Sequence, residues 1–333
     1  MRLALCGAGM ISGAHVVAAQ QLGLPVVAVA SRSAQRASER AAELGARVVT
    51  YDELPAGADV VIVSTPPALH AAHALAALHA GAAVLLEKPL CTTLADADAL
   101  VEAAGGRLLY AENLAFAPVV AEMVRRVGSL GPLQHLEVRS LQGRPTWGDF
   151  LTAEWGGGAL FDLGVHPLAV ALLLTTPDPV VAVSAHLQGA DDHPTDEHAE
   201  VTLRFASGLA GRVVSSWAAG PGSVWDAQAA SATGVLRAEI QPVPSLEHDG
   251  EPVALPPLSA PIGQIESYGY LGQLRSFTDD LRAGRSPTID AAFGRTVLDI
   301  VCAAYASAGQ GGAEVSVPFD GQRDRTPLQL WRG

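Results

Sequence analysis

The chain has 333 residues, 49% of them hydrophobic and 17% charged, with a formal net charge of −13. That length carries two domains or one large one, and the composition excludes a disordered polymer. Acidic balance with scattered arginines excludes a concentrated basic face for nucleic acid, and no run of eighteen apolar residues marks a membrane span. Cys6, Cys91 and Cys302 are odd in number and far apart, so they read as small buried residues in a reducing, cytoplasmic setting. Met1-Arg2 and the four apolar residues after it are too short for an export signal.

From Arg2 to Tyr110, short apolar runs alternate with helix-like stretches. Residues 2–6, 25–30, 47–49, 59–63, 83–86 and 107–110 have strand character; 10–22, 33–45, 67–81 and 93–105 have helical character. Strands that are apolar throughout and separated by helices predict a doubly wound parallel sheet covered on both faces. A helix is expected over 116–128, after which the pattern changes. Segments 132–142, 179–188, 198–206, 209–217 and 233–240 alternate or are β-rich, predicting a mainly antiparallel sheet. The helix-like stretch Leu160–Leu174 interrupts it, helices near 264–283 and 290–308 follow it, and the Pro-rich stretch 242–261 reads as a long connection. The expected fold class is α/β in two domains, 1–118 and 119–333.

The first strand runs into Gly7-Ala8-Gly9-Met10-Ile11-Ser12-Gly13. Between a strand and a helix, the first glycine permits the tight turn and the second lets the backbone reach a pyrophosphate at the helix N-terminus. Gly7, Ala8, Gly9, Met10 and Ile11 are therefore candidate dinucleotide contacts in a Rossmann domain, with Ser12 as the third small residue. A carboxylate at the end of the second strand would accept the ribose hydroxyls of NAD and repel the phosphate of NADP. There is none between Gly23 and Ser38; the strand runs out through Ser31 and Arg32, with Arg36 one turn on. Hydroxyl and guanidinium groups there suit a 2′-phosphate, so NADP(H) is expected in preference to NAD(H). Arg32 stacked on the adenine would instead leave both cofactors usable.

Thr65, Pro66 and His70 follow the fourth strand, where ligands bind at the carboxyl edge of such sheets, although His70 could equally pack at the helix start. Lys88 follows the fifth strand and is the chain's single lysine among twenty arginines. A lysine pKa can be lowered into the working range by burial, whereas arginine stays protonated. In Gly156-Gly157-Gly158-Ala159-Leu160-Phe161-Asp162-Leu163-Gly164-Val165-His166, a helix starting after the glycines would put Asp162 and His166 on one face. A carboxylate beside an imidazole orients a general base. No third group at helical spacing suggests a metal site. All five tryptophans fall at or after Trp147, and Trp147 and Trp155 are candidate stacking partners for an apolar ligand face.

The ordered set Gly7-x-Gly9, Thr65-Pro66, Glu87-Lys88-Pro89, Glu112-Asn113 and the triple glycine with Asp162 and His166 resembles the Gfo/Idh/MocA oxidoreductase family over essentially the whole chain. The resemblance implies an N-terminal Rossmann domain and a C-terminal α/β domain with an open, mainly antiparallel sheet that forms homodimer or homotetramer contacts. It implies a catalytic group of Lys88, Asp162 and His166, with Glu87 and Lys88 bordering the cofactor and Glu112 and Asn113 facing nicotinamide or substrate. The implied reaction is hydride transfer between NADP(H) and a secondary alcohol or ketone of a sugar, cyclitol or related polyol. Redox-neutral glycoside cleavage and a non-catalytic dinucleotide-binding regulator are the alternatives within the resemblance, and the roles of Lys88 and His166 could be exchanged.

Overall fold

The computed structural model describes residues 1–146, 148–220, 222–259 and 262–333, so Trp147 lies outside the described residues. The chain forms two compact units: Met1–Cys91, Ala95–Phe116 and Leu258–Arg295 make the first, and Thr92–Leu94, Ala117–Pro257 and Thr296–Gly333 the second. The crossing at Phe116/Ala117 lies near the expected boundary. The return of Leu258–Arg295 to the first unit departs from a simple division at 118.

In the first unit, strands β1 (Leu3–Cys6), β2 (Val26–Ala30), β3 (Arg47–Val48), β4 (Val60–Val63), β5 (Ala83–Glu87) and β6 (Leu108–Ala111) form a parallel sheet in the order β3-β2-β1-β4-β5-β6. Helices α1 (Met10–Gln21), α2 (Ala34–Leu44), α3 (Pro67–His79) and α4 (Leu94–Ala104) supply the crossovers. Residues of β1, β4 and β5 are buried along their whole length, which is why those runs are uniformly apolar. The strand order reverses direction between β1 and β4, so a crevice opens at their carboxyl ends.

The second unit begins with α5 (Pro118–Val127). Its sheet has nine strands: β7 (Leu133–Leu141), β8 (Val180–Gly189), β9 (Asp196–Phe205), β10 (Ala210–Ser216), β11 (Val224–Ser231), β12 (Val235–Gln241), β13 (Ser245–His248), β14 (Glu251–Pro252) and β15 (Val315–Ser316). The order is β14-β13-β12-β11-β7-β10-β9-β8-β15, antiparallel except for β7 against β10. Strand β11 escapes the sequence reading because its buried positions are Trp225, Ala227 and Ala229; alanine has little strand preference, and flanking strands impose the conformation. The stretch 242–261 is not merely a connection: β13 and β14 form a hairpin through Asp249 and Gly250, with φ of 54° and 83°. Positive φ at both turn residues suits Asp-Gly, and Pro252 is tolerated in the edge strand β14.

The predicted helix over 160–174 is two helices, α6 (Ala159–Asp162) and α7 (Val165–Thr175), and the longer segment Ala153–Asp162 bends by 46° from α7 at the break. In a continuous helix the Pro167 ring would strike the Leu163 carbonyl, which here accepts from the His166 amide at 3.2 Å. Gly164 at the break has no room for a side chain, since a Cβ would lie 2.6 Å from the Leu160 oxygen.

The chain then returns to the first unit as α8 (Gly263–Ser267) and α9 (Tyr270–Ala283), a split form of the expected 264–283 helix, with Gly269 between them at φ 87°. Ile262, Leu271, Leu274 and Phe277 share a core with Leu3, Leu5 and Val16, and burial of that apolar surface is what draws the segment back. Helix α10 (Ala291–Gly309) is long and apolar enough to cross a membrane by composition, yet 72% of its apolar window is buried, as in a core helix. A short α11 (Pro327–Arg332) follows, capped by Thr326 and Gln329.

Candidate active site

At the exit of β1, Gly7 has φ 113°, and a Cβ there would sit 2.6 Å from the Ser64 carbonyl oxygen. The close approach of β1 and β4 thus requires glycine. Gly9 precedes α1 without any side-chain cap, and a Cβ on it would meet nothing within 4 Å. Ser12 is fully buried and donates from Oγ to the Gly9 carbonyl at 2.6 Å, so the serine fills the small-residue position and also pins the turn. Ala8 is buried, Ile11 half-buried and Met10 63% exposed at the helix start. Uncapped amides behind an open glycine fit a dinucleotide pyrophosphate.

At the exit of β2, Ser31 Oγ accepts from the Ser33 amide and Ser33 Oγ accepts from the Arg36 amide, both at 3.3 Å, so the two serines shape the start of α2. The first turn of α2 holds no acidic residue. Arg32 and Arg36 are exposed, and among the described residues neither guanidinium has an ion-pair partner.

At the exit of β4, Thr65 is buried, its hydroxyl without a hydrogen-bond partner among the described residues, and Pro66 precedes α3. His70 is 1% exposed, with Nδ1 2.8 Å from the Pro89 carbonyl and Nε2 2.7 Å from the Thr65 carbonyl. Its ring therefore ties the end of β4 to the segment after Lys88, which leaves neither nitrogen to a ligand. Burial pushes its pKa down, and the two carbonyls and the Glu87 charge only partly oppose that.

Lys88 is half-buried at the end of β5, next to a buried Glu87. Sequence reasoning missed the partner of that carboxylate: His15 of α1, fully buried, whose Nε2 lies 2.7 Å from Glu87 Oε1. Glu87 Oε2 accepts from the Lys88 amide at 3.1 Å. Burial alone would raise the Glu87 pKa, but the His15 hydrogen bond, the Lys88 charge and the Lys88 amide together hold it below its ordinary value. Glu112 Oε1 accepts from the Leu114 amide at 3.2 Å, and Asn113 Nδ2 donates to the Tyr268 carbonyl at 2.6 Å.

In the second unit Asp162 ends α6 and His166 opens α7, so the pair flanks a break rather than sharing one helical face. Both are buried. The triple glycine has a steric origin: Gly156 takes φ 90°, and a Cβ on Gly158 would fall 2.2 Å from the Asp196 backbone oxygen. Asp196 of β9, also missed, accepts from the Gly158 amide at 3.0 Å, the Leu160 amide at 2.8 Å and the Tyr305 hydroxyl. It satisfies amides at the start of α6 that no local cap reaches. Burial raises its pKa despite these donors. The His166 ring packs on the indole of Trp225. Trp155 is half-buried, its ring centroid 4.2 Å from that of Phe150.

Residues 1–108 match the Gfo/Idh/MocA oxidoreductase family, NAD-binding Rossmann fold, and residues 120–237 match its C-terminal domain. A 1,5-anhydro-D-fructose reductase of Ensifer adhaerens is 33% identical over 234 residues, which are 62% of this chain and 67% of that protein. A dTDP-3,4-didehydro-2,6-dideoxy-alpha-D-glucose 3-reductase of Streptomyces violaceoruber is 40% identical over 157 residues, so the chain spans about half the length of that relative: 44% of this chain and 46% of the reductase. The crystal structure of GenD2 from gentamicin A biosynthesis in complex with NAD superposes with a TM-score of 0.85 at 25% identity, covering 95% of this chain and 96% of that one. With both family regions matched in order on an observed parallel sheet and mixed second sheet, the chain belongs to the Gfo/Idh/MocA oxidoreductase family.

Proposed function

We propose that the protein moves hydride between NADP(H) and a secondary alcohol or ketone of a sugar, cyclitol or related polyol. One observation carries the reading: Gly7–Gly9, Ser64–Pro66 and Glu87–Lys88 leave the carboxyl ends of β1, β4 and β5, three strands that are neighbours in the sheet. A dinucleotide turn and the chain's single lysine are thereby brought to one edge. The sugar reductases among its relatives support the substrate class. Arg32 and Arg36, exposed and without an ion-pair partner among the described residues, beside a carboxylate-free turn, support the 2′-phosphate.

When bound, the dinucleotide supplies or takes the hydride at nicotinamide C4. The reacting hydroxyl must lose or gain a proton in the same event. Lys88 and His166 are assigned that exchange, one holding the reacting oxygen and the other acting as acid or base, with Asp162 orienting the imidazole or holding a neighbouring hydroxyl. Association of copies through the nine-stranded sheet belongs to the same reading. One face of that sheet carries cross-strand ion pairs, Arg139 to Asp226 and Arg212 to Glu137 and Glu200, and sedimentation velocity measures the assembly.

The test is absorbance at the reduced-nicotinamide band while the protein meets a panel of sugars, cyclitols and their keto forms, with NADP and NAD in parallel. A substrate-dependent change, larger with NADP and abolished by Lys88→Ala, is expected. Product without net absorbance change would assign redox-neutral cleavage, and dinucleotide binding without any product across the panel would overturn the enzyme reading.

A further inference from the structure

Beneath the single lysine lies a buried polar arrangement to which the proposed chemistry assigns no part. His15 comes from the apolar side of α1 and Glu87 from the end of β5, 72 residues later, yet their side chains meet at 2.7 Å. The His15 Nδ1 atom is buried and has no hydrogen-bond partner among the described residues. A proton there would be a buried orphan donor, so the imidazole carries its proton on Nε2 and gives it to Glu87 Oε1. Tyr270 of α9 meets the imidazole edge-on, with centroids 5.7 Å apart and planes at 86°, which fixes the ring from the other side. The second Glu87 oxygen receives the Lys88 amide at 3.1 Å.

We propose that His15 is a positioning residue for Lys88: by holding one oxygen of Glu87 it presents the other to the Lys88 amide, and so fixes the backbone from which the lysine side chain departs. A buried carboxylate deprived of its donor either moves or takes up a proton, and both outcomes alter what the lysine senses. The titratable groups facing Glu87 are His15 from α1, Lys88 itself, His70 from α3, Tyr110 from β6 and Tyr270 from α9, with Glu112 close to both tyrosines. Burial holds both tyrosines protonated. Of the groups that favour the Glu87 charge, His15 contributes most.

The significance of Lys88 in this proposal rests on its reading as a proton-transfer group, but the test does not need turnover. Because Lys88 is the only lysine, nitrogen-15 at Nζ labels one site, and its ammonium can be titrated by NMR in the full-length protein. In His15→Leu, Glu87 loses its main donor and burial keeps it protonated, so the ammonium loses an anionic neighbour and its midpoint falls by about one pH unit. Glu87→Gln, near-isosteric, moves it the same way, while His15→Gln, whose amide nitrogen reaches the place of Nε2, restores it. With a substrate in hand, His15→Leu lowers kcat roughly tenfold or more at unchanged dinucleotide Kd, the scale of a misplaced reacting group. An unmoved Lys88 titration in both His15→Leu and Glu87→Gln, with only the melting temperature reduced, would show His15 to be a core residue and overturn the proposal. A shifted titration in a protein that turns over nothing on the panel would keep the positioning role and sink the functional reading instead.

Discussion

The His166 imidazole at the start of α7 lies against the Trp225 indole of β11, with ring centroids 5.2 Å apart and planes 34° from parallel. Both rings are buried, and they meet because α7 packs across β7, β10 and β11. The indole therefore sets the plane of a proposed acid–base group. Trp225→Leu is expected to reduce kcat about tenfold, the worth of one aromatic pair, while Trp225→Phe retains most of it. Steady-state kinetics at saturating cofactor decides, and equal rates in the two variants would show that the ring contact does not orient His166.

Two glycines in the proposed machinery should answer oppositely to the same substitution. Gly9→Ala has space for its Cβ and an ordinary φ of −76°, so its melting temperature should match the parent, while dinucleotide affinity falls at least about tenfold because the backbone is no longer open to the pyrophosphate. Gly158→Ala would drive a Cβ to 2.2 Å from the Asp196 backbone oxygen. Its expected outcome is insolubility or a loss of several kcal/mol, of the order of about 3 or more, since neither backbone can yield without breaking the Asp196 bonds. Thermal melts and cofactor fluorescence separate the two effects.

Arg32 and Arg36 are exposed, so removing either leaves no buried charge behind. If Arg32 holds the 2′-phosphate as proposed, Arg32→Ala should lower kcat/KM for NADP about tenfold or more and leave that for NAD within about threefold, because only the former carries that phosphate. If both cofactors weaken together, Arg32 acts by stacking on the adenine that they share.

Glu122 is one local source of acid sensitivity. Hydrogen bonds from Arg125 and then Arg126 bring the Glu122 pKa down from 4.5 to about 2. A carboxyl whose folded value lies below its unfolded one stabilises fully above about pH 4.5 and loses that contribution as pH falls toward 2. Glu122→Gln should therefore flatten the stability profile over that window by the small amount usual for helix-surface pairs, and leave neutral-pH activity unchanged. Urea denaturation across the window, with carbon-13 titration of the Glu122 carboxyl, reads both.

The sequence by itself determined the succession of strands and helices from Leu3 to Ala111, the glycine at position 7, the missing carboxylate after β2 and the solitary lysine after β5. All of these are expressed within a few residues: a buried strand must be apolar at every position, a tight turn must be free of Cβ, and a charge at a strand end needs no distant partner to be noticed. The break between Asp162 and His166 is also local, since Pro167 makes a continuous helix impossible there. What only the tertiary structure decided is who meets whom inside. His15 has no acid near it in sequence and finds Glu87 across 72 residues. Asp196 looks like any polar residue at a strand start until Gly158, Leu160 and Tyr305 converge on it. Trp225 lies in an alanine-rich run that becomes a strand only between its neighbours, and residues 258–295 return to the first unit because Leu271, Leu274 and Phe277 find their core there. Periodicity and steric limits act along the chain, whereas desolvation selects partners only after distant segments have excluded water, and so the buried polar pairs that aim the proposed catalytic groups are written in no single stretch of sequence.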